Sequence, residues 1–157
     1  MEEVLTWEEY FMSIALVSAK RSKDPRTKVG ACIVNDQNRI VGIGYNGMPN
    51  NCIDAVFPWE TDRIDLDNKY LYVVHAELNA ILNSSKCLNG CTIYTTLFPC
   101  NECSKAIIQV GIKKVVYLRE ECKKNVSVVA SKRMLKNANI VCLKYIGRKS
   151  SINICFD

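Results

Sequence analysis

Apolar residues along the chain switch repeatedly between a helical and an alternating rhythm, and the switches mark out the elements. Trp7, Tyr10, Phe11, Ile14 and Ala15 recur at helical spacing behind Thr6 and Glu9, a pair that fits a capping box. This predicts an opening helix of about four turns with one face against a sheet. Two β-rich runs follow, Val29 to Val34 and Arg39 to Tyr45, separated by Asn35-Asp36-Gln37-Asn38. Turn formers between two such runs predict a hairpin. Asn46 to Lys69 is rich in Asn, Asp and Pro and reads as a long loop, and long loops in small domains are usually functional or mobile.

Beyond Val74 the rhythm becomes regular. A helix is expected around Ala76 to Leu82, a strand over Thr92 to Leu97, a helix over Asn101 to Val110 and a strand over Lys114 to Leu118. A helix near Val126 to Lys136 and a strand over Ile140 to Ile146 complete the chain. Strands linked by helices tend to be parallel, whereas hairpin strands are antiparallel. The expected fold class is therefore α/β: a three-layer α/β/α sandwich with a central mixed five-stranded sheet. The 157 residues and 48% apolar content suit one domain spanning positions 1 to 157.

Composition narrows the setting. No stretch approaches the roughly 20 apolar residues a membrane span requires, and Met1-Glu2-Glu3 is acidic where a secretory signal would be basic. A soluble, cytoplasmic protein with no membrane partner is expected. Nine cysteines then read as reduced thiols, and Cys32, Cys87, Cys91, Cys142 and Cys155 read as small apolar or idle side chains. Charge is uneven: residues 1 to 100 hold 9 basic and 12 acidic side chains, and residues 101 to 157 hold 12 and 4, giving −3 and +8. A basic second half attracts phosphate, on a mononucleotide or a polynucleotide. The lack of aromatic-rich loops among these basic residues argues against a nucleic-acid partner.

The chemistry concentrates in two short runs. His75, the sole histidine, stands two residues before Glu77 at a predicted helix start, and Pro99-Cys100-Asn101-Glu102-Cys103 stands at another. One helical turn separates the two sulfurs, so both can face one ion, and a helix N-terminus favours thiolates. One imidazole and two thiolates form the three-ligand set of a catalytic zinc with a fourth position for water. His-x-Glu followed by Pro-Cys-x-x-Cys is the pattern of zinc deaminases that act on nucleobases, with the glutamate outside the metal's coordination shell. Zinc makes hydroxide available near neutral pH. Glu77 is then placed to take a proton from water, protonate N3 of a cytosine, and pass a proton to the departing amine.

Around these runs the chain resembles the deoxycytidylate (dCMP) deaminases of the cytidine deaminase-like superfamily. The matching stretches are Trp7-Glu8-Glu9-Tyr10-Phe11-Met12, Arg21 to Pro25, Val29 to Val34, Ile40 to Asn50, His75 to Ile81 and Phe98 to Cys103. The segment Gly44-Tyr45-Asn46-Gly47-Met48-Pro49 singles out the deoxycytidylate branch. The resemblance implies hydrolytic deamination of dCMP to dUMP, supplying dUMP for thymidylate synthesis, with zinc on His75, Cys100 and Cys103 and Glu77 as proton shuttle. It implies that Asn46 contacts the deoxyribose and that the backbone of Ala76 and Glu77 holds the cytosine edge. It further implies an allosteric nucleotide site near Gly44, Tyr45, Asn46 and Gly47, where dCTP with magnesium (Mg2+) activates and dTTP inhibits, and a homo-oligomer, commonly a hexamer. At Cys122 the chain departs from the aromatic hydroxyl that relatives carry near the substrate, and Lys123 or Lys124 is expected to compensate electrostatically.

Overall fold

The computed structural model describes residues 4–61, 64–121 and 125–156. The expectations for Cys122, Lys123 and Lys124 lie outside the described residues. Helix α1 spans Trp7–Ala19, followed by strands β1 (Gly30–Val34) and β2 (Ile40–Tyr45). After the loop and a short 3-10 turn at Lys69–Leu71 come α2 (Ala76–Leu82), β3 (Thr92–Leu97), α3 (Asn101–Gln109), β4 (Lys114–Arg119), α4 (Val126–Asn137) and β5 (Val141–Lys144). The five strands form one sheet in the order β2-β1-β3-β4-β5. β1 is antiparallel to both β2 and β3, and β3, β4 and β5 run parallel. The mixed α/β sheet expected from the sequence is the observed one.

Local chemistry explains the elements. Thr6 Oγ1 accepts the Glu9 N–H, and Glu9 Oε2 accepts the Thr6 N–H at 2.8 Å, closing the capping box of α1. In the hairpin, Asn35 Oδ1 accepts the N–H groups of Gln37 and Arg39, while Asn38 takes a positive φ of 57°. Asparagine tolerates that left-handed backbone better than most residues.

Side chains alternating along the strands feed two cores on opposite faces of the sheet. Ala31, Ile33, Ile93 and Val115 join the apolar residues of α2, α3 and α4. Cys32, Val34, Tyr94 and Val116 join Phe11, Met12 and Ala15 of α1. Helices thus cover both faces, as a three-layer sandwich requires. Two glycines set the spacing of these layers. A Cβ on Gly30 would lie 1.9 Å from Ala15 O, and one on Gly44 would lie 2.3 Å from both Ala76 O and Ala80 N. The sheet therefore accepts α1 and α2 at backbone contact, and α2 is the helix that presents His75 and Glu77.

Three expectations are corrected. Trp7 and Tyr10 are not on the packed face of α1, being 57% and 39% exposed; Phe11 and Ala15 are buried as expected, joined by Met12 and Ala19. Trp7 stacks along the helix surface on Phe11, with ring centroids 5.5 Å apart. The last strand is shorter than expected, Val141–Lys144, and lies exposed at the sheet edge, where only one neighbour fixes its length. The end of α3 also moves, from the expected Val110 to Gln109, as Gly111 takes a φ of 80°. The described cysteines are free thiols, and no described helix is long and apolar enough to cross a membrane.

Candidate metal centre and pocket

The two short runs meet because each opens a helix on the same face of the sheet. His75 is the N-cap of α2, and its imidazole makes no capping hydrogen bond, which leaves the ring free for other partners. Cys100 is the N-cap of α3, its sulfur accepting the Cys103 N–H at 3.4 Å. His75 Nδ1 lies 3.3 Å from Cys100 Sγ and 3.5 Å from Cys103 Sγ. All three donor atoms fall within 4.8 Å of one another. Tetrahedral zinc, with Zn–S near 2.3 Å and Zn–N near 2.0 Å, sets sulfur and nitrogen about 3.6 Å apart, so these residues fit the ion.

Glu77 sits directly behind this triangle. Its Oε2 accepts from Cys103 Sγ at 3.5 Å, and its Oε1 lies 3.2 Å from Thr95 Oγ1, whose hydroxyl also reaches Leu97 O at 2.9 Å. Glu77 and Thr95 are buried. Burial, which disfavours the charged form, is the main reason the Glu77 carboxyl is raised above the ordinary carboxylate range. The thiols are split. Hydrogen bonds from Cys103 first, and then from His75, hold the Cys100 thiol down at about 4. The Cys103 thiol is pushed up, by its hydrogen bond to Cys100 and then by burial. His75 is raised, chiefly by its contact with Cys100. Two sulfurs and a carboxyl crowded in this way call for a cation among them, which a dication bound by the three donors supplies.

The triangle opens into a pocket whose wall includes His75, Ala76, Glu77 and Cys100. Of the four residues expected at an effector site, Asn46 is the one found in this wall. Asn46 is buried and fully engaged as a donor: Nδ2 donates to Thr27 O at 2.9 Å and Asp24 Oδ2 at 3.3 Å. Its Oδ1 accepts the Val29 N–H at 2.8 Å. Gly44 is pressed against the backbone of α2. Tyr45 stands half-exposed, its carbonyl accepting from Asn79 Nδ2, and Gly47 bridges to Val74.

The sequence reading missed three residues at this pocket. Asp24 and Lys69 form a buried ion pair at 2.5 Å in its wall, and Thr95 backs the Glu77 carboxyl. Nothing in the neighbourhood of Lys69 in the chain signals burial, because its partner lies 45 positions away. Thr95 was visible only as one of three threonines in the β-rich run Thr92 to Leu97.

Residues 5–119 match the family model described as the cytidine and deoxycytidylate deaminase zinc-binding region. The chain is 55% identical, over 99% of its length and 80% of the relative's, to the probable deoxycytidylate deaminase of Drosophila melanogaster. It is 51% identical, over 99% of its length and 89% of the relative's, to the deoxycytidylate deaminase of Homo sapiens. Among solved structures, it resembles the dCMP deaminase of cyanophage S-TIM5 in complex with dCMP and dUMP, at 29% identity and a TM-score of 0.71. That match covers 88% of this chain and 96% of the phage protein.

Proposed function

Since the chain belongs to the cytidine and deoxycytidylate deaminase zinc-binding family, we propose that it hydrolyses dCMP to dUMP and ammonia. The observation that carries this reading is the convergence of His75, Cys100 and Cys103 with a buried carboxyl, Glu77, set against them. His75, Cys100 and Cys103 would hold zinc, which when bound supplies a Lewis acid that makes water a nucleophile near neutral pH.

In this reading the remaining work falls to side chains and backbone of the chain. Glu77 accepts a proton from the attacking water and gives it to N3 of the cytosine. It then carries the second water proton to the leaving amine, so that water plus cytosine becomes uracil plus ammonia with every proton accounted for. Its raised carboxyl makes the protonated form, which has to donate to N3 and to the amine, easier to reach than in an exposed glutamate. The Thr95 hydroxyl, within reach of Oε1, keeps the carboxyl aimed. Backbone of Ala76 and Glu77 receives the base edge, and Asn46 the deoxyribose. The finer parts of the reading rest on family resemblance: control by dCTP with magnesium and by dTTP near Gly44, Tyr45, Asn46 and Gly47, a hexamer, a cytoplasmic location, and dUMP supply for thymidylate synthesis.

The deciding experiment loads purified protein with zinc, measures metal stoichiometry, and follows ammonia release from dCMP, CMP, dCTP and deoxycytidine. The expected result is one zinc per chain with dCMP the best substrate, and activity lost on chelation and restored by zinc. Release of no ammonia from dCMP, or a rate indifferent to chelation, overturns the proposal.

A further inference from the structure

Lys69 is a buried cation that the deaminase chemistry leaves without a task. It is 4% exposed and lines the pocket alongside Asn46 and His75. Among the described residues, the one acceptor of its Nζ is Asp24 Oδ2, at 2.5 Å. Asp24, 1% exposed, has no acceptor capacity to spare. Oδ1 takes the N–H groups of Arg26 and Thr27, at 2.9 and 3.0 Å, and Oδ2 takes Lys69 Nζ and Asn46 Nδ2. A carboxylate offers about four acceptor positions, and all are used.

The ammonium is in the opposite condition. It has three N–H donors; one goes to Asp24, and the ring of Tyr70, 5.5 Å away at its centroid, takes at most one more. Among the described residues, at least one donor therefore remains for the pocket. Asn46, held on the same Asp24 oxygen, has spent both N–H groups but keeps one free lone pair on Oδ1 beyond its bond from Val29. A leftover donor beside a leftover acceptor matches a hydroxyl, which both donates and accepts.

Charge favours the same ligand over a phosphate. Asp24 already neutralises Lys69, and apart from His75 and Cys100, which would hold the metal, the other charged residues described in the wall, Glu77 and Glu121, are acidic. A phosphate dianion would meet no net positive charge from these groups, whereas a neutral hydroxyl meets none of that repulsion. We propose that Lys69 is a substrate-binding residue: with Asn46 it grips the sugar hydroxyl of the nucleotide, donating through Nζ while Asn46 Oδ1 accepts. Resting on the reading that the pocket takes a 2′-deoxyribonucleotide 5′-phosphate, this assigns the contact to the 3′-hydroxyl. Asp24 is then a positioning residue that fixes both partners from behind.

The test uses binding of product, which cannot turn over. Zinc-loaded wild type, Lys69→Met and Lys69→Gln are titrated with dUMP, with 2′,3′-dideoxyuridine monophosphate and with deoxyuridine, with zinc content and circular dichroism checked for each. Wild type is expected to bind dUMP about 10- to 100-fold more tightly than the dideoxy compound, as for one charge-assisted hydrogen bond. In both variants that ratio should shrink to within about threefold, while the preference for dUMP over deoxyuridine persists. A wild-type ratio near one overturns the proposal without reference to any variant. So does a ratio that survives in the variants, as a purely structural Lys69 would give, or loss of the dUMP over deoxyuridine preference in its place, as a phosphate contact would give. Hydroxyl-dependent binding in a protein that releases no ammonia from dCMP would break the deaminase reading and leave the Lys69 assignment standing.

Discussion

The metal end of the pocket and its sugar end are assembled in opposite ways. His75 with Glu77, and Cys100 with Cys103, are pairs two and three positions apart at the starts of α2 and α3. The helix itself sets the spacing within each pair, and only one long-range event, the docking of two helix N-termini, brings the pairs together. Asp24, Asn46 and Lys69 come from three separate segments with 22 and 45 positions between Asp24 and its partners. No local periodicity relates them. The first end tolerates sequence change poorly because its chemistry needs particular atoms. The second does so because each member satisfies the hydrogen bonds of the others in a buried place.

Substitutions at the two ends should separate these two kinds of dependence. The largest effect should come from Glu77→Gln, which keeps size and burial but cannot exchange protons. The deamination rate is expected to fall by about 10⁴-fold with zinc content and melting temperature near wild type, and undiminished turnover would remove Glu77 from the mechanism. Asn46→Ala should act through stability as well as binding, because it strips partners from Val29 N–H, Thr27 O and Asp24 Oδ2. A loss of about 3 kcal/mol in chemical denaturation is expected, against less than about 1 kcal/mol for Glu77→Gln. Equal stability losses at the two sites would mean that the two ends depend on their residues in the same way.

Gly44→Ala probes the scaffold that both ends share. The new methyl would press on Ala76 and Ala80, so about 2 kcal/mol of destabilisation is expected, read by thermal melting. Zinc content at low temperature should hold, and a variant as stable as wild type would show that α2 can shift without cost.

The smallest effect is outside the pocket and serves as a control. Glu9 is depressed from its ordinary 4.5 to about 2, mainly by its hydrogen bond from Arg148. A depressed carboxyl stabilises the fold above its unfolded value and loses that contribution as pH falls through the folded one. The stability gap between wild type and Glu9→Gln should therefore be full above about pH 4.5 and close by about pH 2, with deamination at neutral pH little changed. A gap independent of pH would mean that Arg148 does not act on the ionised carboxylate.

Much of the fold was legible because its signals are short. The limits of α2 and β3 follow from the sequence as expected, and the hairpin from Asn35 to Asn38 follows from turn chemistry that needs nothing distant. Trp7 and Tyr10 show where this stops. Spacing alone could not tell whether they or Met12 and Ala19 face the sheet, because aromatic rings pack along a helix surface as well as beneath it. Glu9 is a similar case, an acidic residue buried because Arg148, 139 positions away, supplies its counter-charge.

By itself the sequence determined the order of helices and strands, the two helix starts that carry one imidazole, two thiols and one carboxyl, and the family to which they belong. Periodicity and capping act over one or two turns, so a linear reading suffices for them. Tertiary structure alone decided that the donor triangle closes to bonding distances, that Thr95 stands behind Glu77, and that Lys69 meets Asp24 and Asn46 beneath the pocket. Those are contacts between segments remote in the chain. Burial selects them by requiring every charge and hydrogen-bonding group taken from water to find a partner, wherever along the chain that partner lies.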